Sequence, residues 1–359
     1  MEVLELARWA PSGDNSQPWR FAVHGEDRVT VFGSDTRAHC VYDLDGHPSQ
    51  ISLGALLETI SLAATRFSLE ADISRRRDPN DANDEHPTFD VVFRREQGIT
   101  EDPLVAQITE RRVQRRPLDS RPLTNSEKTA LEASVAPGYS CLWFEHWSER
   151  ARLARLNVAN ARIRLTLPEA YSVHRDVIQW DAQFSEDKVP DSALGASRGS
   201  LKLMRWALGS WARVSFLNRY LAGTVVPRIE LDLVPGIACA AHCILLAQRA
   251  PETVDDYVAA GRALQRFWLT ASGLDLQFQP QYTPLVFARY ARRGVSFTGD
   301  SRRTREADAI RRRLDGLIGA EPATRAVFMG RIGAGPRATS RSVRRPLREL
   351  LVDEACAAR

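Results

Sequence analysis

The chain reads as an α+β protein of two similar, pseudo-symmetric lobes, each a mainly antiparallel sheet flanked by helices. Three observations lead there. Helical and strand periodicities alternate along the sequence. A leading helix, a strand, a buried helix with a glycine near its start and a further strand follow one another twice. The two buried helices also align on that glycine: Gly54 set on Gly261 brings Leu57 onto Leu264, Leu62 onto Leu269 and Ala64 onto Ala271. The expected division is residues 1–103 for a first lobe and 104–350 for a second, which carries a helical insertion at about 145–235 and a C-terminal arm.

Val3, Leu6, Ala7 and Ala10 fall at helical spacing, and Pro11 closes that first helix. "WRFAVHG" and "RVTVFG" alternate as strands joined by a turn at Gly25–Arg28, and "ISLGALLETISLAATRF" from Ile51 is a helix buried on most sides. Residues 75–87 form a polar, turn-rich loop, after which "TFDVVFRRE" is a strand. In the second lobe "PLVAQITERR" from Pro103 predicts a helix, Thr124 or Asn125 caps another, and "YSCLWFEHW" predicts a strand. Residues 150–235 read as mostly helical, with Trp206, Trp211, Phe216 and Tyr220 among basic residues. "DDYVAAGRALQRFWLTASG" is a buried helix leading into the extended "LDLQFQPQ".

A chain of 359 residues with 43% apolar content is large enough for one big core or two ordinary ones. Net charge is only +4, so the basic character is local, in clusters at Arg302–Arg313 and Arg337–Arg348. Each cluster is either a solvated face or an anion site. Five cysteines spread over the sequence favour reduced thiols over a disulfide framework. The most apolar run, "VPGIACAAHCILLA", falls short of a membrane span and contains His242, and no leader precedes the first helix. The expectation is a soluble, cytoplasmic protein.

Chemistry concentrates in three stretches. In "LARWAPSGDNSQPWRF" Ser12 and Gly13 let backbone approach a ligand closely, while Asn15 and Gln17 each offer a donor and an acceptor. The turn suits a planar heterocycle, or else the two amides satisfy their own turn. In "ERRVQRRPL" Arg111 and Arg115 stand four apart, so a continuing helix lets them grip one phosphate; a solvated helix end is the alternative. "RIGAGPRATSRSVRRPLREL" is either a basic tail or an arm that wraps back to an anionic group.

"APSGDNSQPWRF" resembles the signature of the nitroreductase superfamily of flavin-binding oxidoreductases. "RRVQRRPL" resembles its phosphate-binding arginine motif and "SVRRPL" its closing segment. The order of the motifs is similar to the Acg-like branch, in which two nitroreductase-like lobes are fused. The resemblance spans roughly residues 4–122 and 236–350. It implies a nitroreductase-like fold and an FMN-dependent oxidoreductase, with NADH or NADPH as a transient donor and a small-molecule electron acceptor. Carried over residue by residue, Pro11, Ser12, Gly13, Asn15 and Gln17 face the isoalloxazine and ribityl groups. Arg111, Arg115 and Arg345 bind the phosphate, and Gln279 and Gln281 lie at the ring's polar edge. No side chain is assigned as a catalytic acid or base.

The sequence departs from that pattern in places. Val113 stands where many family members have Ser or Thr, and "VAPGYSCLWF" lacks the amide pair of the first motif, so one FMN per chain is expected. "CAAHC" puts Cys239, His242 and Cys243 on one helical face but lacks a second ligand pair, and "YDLDGHP" lacks most of a calcium loop. No metal is therefore expected. No Rossmann or Walker glycine pattern is present, and no aromatic interleaving among the C-terminal arginines supports nucleic-acid binding. A second reading is an FMN-binding or sequestering protein that acts through a partner. The aromatic, basic segment 201–221 would then be a lid, a homodimer surface, a protein-docking face or a membrane-surface helix, and plain core packing of the same helix is the alternative.

Overall fold

The computed structural model describes residues 1–77, 85–220 and 223–353; the expected loop at 75–87 and the segment 201–221 therefore extend beyond the described residues, at 78–84 and 221. Mixed helix and antiparallel sheet is the observed architecture. The first sheet contains β1 (Trp19–His24), β2 (Arg28–Gly33), β3 (Leu69–Arg76) and β4 (Thr88–Arg95) in the order β1-β2-β4-β3. Gly25, at φ 66°, supplies the left-handed residue that the tight β1–β2 hairpin requires. Helix α1 (Glu2–Ala7) leads into the sheet, and α2 (His47–Thr65) links β2 to β3. Nearly every residue of α2 is buried, and it starts four residues before Ile51 because Pro48 fits the first helical turn.

The rest of the chain begins with α3 (Asn125–Val135). Thr124 caps it and Glu127 reaches back to the Thr124 N–H, a reciprocal capping box. There follow β5 (Tyr139–Phe144), α4 (Trp147–Thr166), α5 (Pro168–Val177), α6 (Arg198–Leu208) and α7 (Trp211–Tyr220). Then come β6 (Ala241–Ala247), α8 (Val254–Gly273), β7 (Leu276–Pro280), α9 (Thr283–Arg293), α10 (Ser301–Ile318) and β8 (Ala326–Ala334). The second sheet is ordered β5-β6-β8-β7 and is antiparallel throughout. Numbered within each sheet, both run first, second, fourth, third, with α2 or α8 between second and third.

Several sequence expectations change. "CAAHC" is not helical: β6 begins at Ala241 and is buried almost to its end, and such a short apolar run carries no period to separate strand from helix. The helix expected from Pro103 is a 3₁₀ turn ending at Gln107, after which the chain is irregular, so Arg111 and Arg115 share no helix face. The aromatic segment divides at Gly209–Ser210 into α6 and α7. The arginines of α10 belong to a charged outer face: Arg303 pairs with Glu306, and Arg311 with Asp308 and Asp315. The segment after Ser342 does wrap back, for Phe21 N–H donates to Leu350 O (2.8 Å) and Val352 N–H to Phe21 O (2.9 Å). Among the described residues no helix is long and apolar enough to cross a membrane.

Helices α2 and α8 cross at Gly54 and Gly261. A Cβ on Gly54 would sit inside the van der Waals radius of Val258 O and 2.9 Å from Gly261 Cα; one on Gly261 would meet Ile51 O and Gly54 Cα in the same way. Each obstructing carbonyl lies three residues before the opposite glycine. Backbone cannot step aside as a flexible side chain can, so Gly54→Ala and Gly261→Ala should each lower unfolding free energy by about 3 kcal/mol or more in urea titrations. A loss below about 1 kcal/mol would show that the crossing tolerates a methyl group.

Candidate functional site

A cavity of about 770 Å³ opens beside the turn that follows α1, within the range of small-molecule and cofactor sites. Its wall takes Trp9 and Pro11–Ser16 from the first turn, Ile51, Ser52 and Ala55 from α2, and Leu264 and Trp268 from α8. Arg111, Arg112 and Arg115 enter from the irregular segment after Gln107. Residues 340–344 of the returning arm and parts of α5–α7 complete it.

The opening turn is strained. Asp14, Asn15 and Gln17 all have positive φ (50°, 63° and 49°), a conformation that costs roughly 1–3 kcal/mol each outside glycine. Side-chain hydrogen bonds hold it. Gln17 N–H donates to Ser12 Oγ, Gln17 Nε2 donates to Asn15 O and Glu186 O, and Gln17 Oε1 accepts from Arg345 N–H. Asn15 Nδ2 donates to Glu186 O (3.0 Å), Lys188 O (3.2 Å) and Val343 O (3.2 Å), while its buried Oδ1 has no protein donor. The amide pair therefore fastens the 185–188 loop and the returning arm onto the turn. A Cβ at Gly13 would touch nothing within 4 Å, so this glycine leaves the cavity open.

Three arginines converge on Trp9 and Ala10. Arg111 is buried, donates from Nη2 to Trp9 O (3.1 Å), lies 4.4 Å above the Trp268 ring, and has its Nε unsatisfied. Arg344 donates from Nε to Ala10 O (2.8 Å), and the Arg341 guanidinium lies 4.7 Å from the Trp9 ring. Among the described residues none of the three is in an ion pair with a carboxylate. Burial holds the Arg111 guanidinium well below its ordinary range, with Arg344 and Arg341 adding repulsion, and brings Arg344 down to about 9. Arg111 and Arg344 are thus buried cations without a carboxylate partner, which is costly, and an anion in the cavity would relieve that cost.

A second charged group carries its own carboxylates. Arg115 donates to Ala193 O (3.1 Å) and is attracted by Asp14, while Arg164 Nη2 donates to Asp232 Oδ1 (3.4 Å). Burial raises Asp14, against the pull of Arg115 and Arg164, and pushes Asp232 up to about 6. Nearby on the wall the Tyr42 hydroxyl and His174 Nε2 are 2.9 Å apart, and burial, with Arg164 second, lowers His174 to about 3. Burial pushes the Cys40 thiol, also on the wall, up to about 12.

Pro11, Ser12, Gly13, Asn15, Arg111, Arg115 and Gln279 therefore share the cavity wall, whereas Gln17, Gln281 and Arg345 stand outside it. Gln17 lies behind the turn, and Gln281 is 2.9 Å from Nδ1 of His242, whose Nε2 donates to Gly236 O. Arg345 points outward toward Asp187 (3.4 Å). Of the arm, Ser340, Arg341, Ser342 and Arg344 line the cavity, whereas Val343 and Arg345 do not. Gln279 Oε1 accepts from Nε of the fully buried Arg331, whose Nη2 donates to the carbonyls of Gln114, Arg115 and Arg116. Arg331, Arg341 and Arg344 all lie in the stretch from Arg331 that the sequence offers as an arm wrapping back to an anionic group, yet none is among the residues the resemblance assigns. The signal for Arg331 was a lone arginine in the apolar run "AVFMGRIGA".

No family model matches the chain. It is 29% identical over 186 residues to Uncharacterized protein Rv3127 of Mycobacterium tuberculosis (strain ATCC 25618 / H37Rv), covering 50% of this chain and 52% of that protein. Uncharacterized protein MT3212 of strain CDC 1551 / Oshkosh matches with the same values. The chain thus spans about half the length of the curated relatives it matches. Among solved structures it is similar to a nitroreductase-like family protein from Bacillus cereus, with TM-score 0.34, 14% identity and coverage of 70% of this chain and 95% of that one. It is also similar to the FMN-dependent nitroreductase NfnB from Mycobacterium smegmatis in complex with NADPH, with TM-score 0.36, 15% identity and coverage of 68% and 94%. At such scores the site rests on the geometry of this chain alone.

The His174 environment sets a pH dependence. Below about 6.5 the unfolded chain takes up a proton at His174 that the folded protein refuses until about pH 3, so this group removes stability as pH falls through that window. His174→Gln should flatten the fall in urea midpoint between neutral and mildly acidic pH. An unchanged slope would mean that His174 protonates freely in the folded protein.

Proposed function

We propose that the protein is an FMN-binding oxidoreductase of the nitroreductase type, with the Acg-like arrangement of two fused, pseudo-symmetric lobes and one FMN per chain. The observation that carries the reading is the pair Arg111 and Arg344, buried without carboxylate partners beside the Pro11–Gly13 turn, with the half-buried Arg341 next to them. The shared strand order of the two sheets and the reciprocal glycine crossing support the two-lobe arrangement. The four described cysteines are unpaired, which supports a reducing compartment such as the cytoplasm.

When bound, FMN would accept hydride from a donor such as NADH or NADPH and pass it to an acceptor. Arg111, Arg341 and Arg344 would hold the phosphate through charge-assisted bonds, with Ser340 and Ser342 beside them. Gly13 keeps the wall open, and Asn15 Oδ1 is an acceptor awaiting an N–H donor. Arg115 is compensated by Asp14 and would orient the turn more than bind the anion. Gln279, tied to Arg331, would present a fixed amide. The second reading, sequestration of FMN without turnover, draws support from Met204, Leu208, Val214 and Leu217, through which α6 and α7 wall the cavity.

The purified protein should show the visible absorbance of oxidised flavin, or acquire it with added FMN. Arg111→Ala combined with Arg344→Ala should weaken FMN binding by about a hundredfold or more, at roughly 1.5–3 kcal/mol for each charged hydrogen bond, and leave riboflavin binding nearly unchanged. Equal loss for both flavins would refute the phosphate role, and a colourless protein that takes up no FMN would refute the site. Rapid flavin reduction by NADH or NADPH separates an enzyme from a sequestering protein.

A further inference from the structure

The helices that wall the cavity carry an apolar surface on their outer side. Leu203 and Trp206 of α6 are 50% and 48% exposed, and Phe216 and Tyr220 of α7 are 52% and 63% exposed. Each pair is three or four residues apart and so projects from one side of its helix. The two sides are joined: the Arg213 guanidinium lies 5.0 Å from the Trp206 ring and donates to Trp206 O, Phe216 and Tyr220 rings are 5.3 Å apart, and Arg219 lies 5.4 Å from Tyr220. Val225, Val226 and Ile229 continue the exposed apolar series just beyond. No residue of α6 or α7 is buried, so neither helix is held by a core of its own.

The charge carried by α6 and α7 themselves has one sign, with Glu230 at the α6 N-terminus and Asp181 beside Arg205 as acidic neighbours. Residues 198–228 contain six basic side chains (Arg198, Lys202, Arg205, Arg213, Arg219 and Arg228) and no Asp or Glu. Among the described residues Arg205 pairs with Asp181, whereas Arg198, Lys202, Arg213 and Arg219 are in no ion pair. A two-fold contact with a second copy would set this cationic face against itself. Stacking on nucleic acid would use the aromatic rings but leave Leu203, Val225, Val226 and Ile229 facing water or phosphate. Exposed aromatic and aliphatic side chains ringed by unpaired cations match the boundary between acyl chains and anionic headgroups.

We propose that the outer face of α6 and α7, centred on Trp206, Arg213, Phe216 and Tyr220, docks the protein on the surface of an anionic phospholipid bilayer. The face lies in the interface plane and does not span. It is independent of flavin, because Trp206, Arg213, Phe216, Arg219 and Tyr220 do not line the cavity.

Flotation of the full chain with vesicles tests this. The protein should float with phosphatidylglycerol-containing vesicles, bind pure phosphatidylcholine vesicles on the order of tenfold less, and be released as salt rises. Trp206→Ser with Phe216→Ser, and separately Arg213→Glu with Arg219→Glu, should each reduce binding by roughly tenfold or more, with far-ultraviolet circular dichroism and FMN uptake unchanged. Failure to float, or equal binding by these folded variants, overturns the proposal. So does a dimer, seen by light scattering, that the same substitutions dissociate in a protein that does not float. Tighter binding to an oligonucleotide than to the anionic vesicles overturns it as well.

Discussion

Everything near the cavity is referred to one contact, the backbone-to-backbone crossing of α2 and α8 at Gly54 and Gly261. Two helices can approach this closely only where neither has a Cβ, and here each glycine receives the other strand of contacts symmetrically. The crossing knits the cores together: Val254, Val258 and Leu269 of α8 join the apolar cluster under the first sheet, and Ile51 of α2 joins the one under the second. Ile51, Ser52 and Ala55 on one side and Leu264 and Trp268 on the other then meet as cavity wall. Moving the crossing moves the wall.

The cavity's electrostatics follow from how its residues are delivered. The turn after α1 contributes Asp14 and no cation to the wall, and apart from Arg164 of α4 the wall's arginines arrive on two irregular segments, Arg111–Arg115 and Arg341–Arg344. Both segments are held chiefly by backbone carbonyls: Arg331 clamps three consecutive ones in the first, and Asn15 holds Val343 O in the second. Pinning through carbonyls leaves the guanidinium groups of Arg111 and Arg344 without carboxylate partners. Arg115 and Arg164, by contrast, spend theirs on Asp14 and Asp232.

The alternation of helix and strand was legible because the segments that build both sheets are long and strongly patterned. The Thr124 cap was legible for the same local reason. The "CAAHC" segment was not, since burial on both faces of a strand erases the period of two. In the arm the cluster of arginines was visible, but which members line the cavity depends on the phase and course of the arm. That phase is fixed far away, by Gln17 gripping Arg345 N–H and Asn15 gripping Val343 O. The amides of the opening turn stood out correctly as unusual, yet Gln17 works toward the protein and not toward the cavity. No local pattern distinguishes those two uses of an amide.

The bond from Arg344 to Ala10 O joins residues 334 apart in sequence. It makes the cationic pocket a property of nearly the whole chain rather than of either motif. During synthesis Arg111 follows Trp9 by 102 residues, whereas Arg344 follows Ala10 by 334, so the Ala10 carbonyl waits far longer for its arginine. A chain halted before residue 344 would contain the opening turn and Arg111 and still lack the guanidinium that joins Ala10 O.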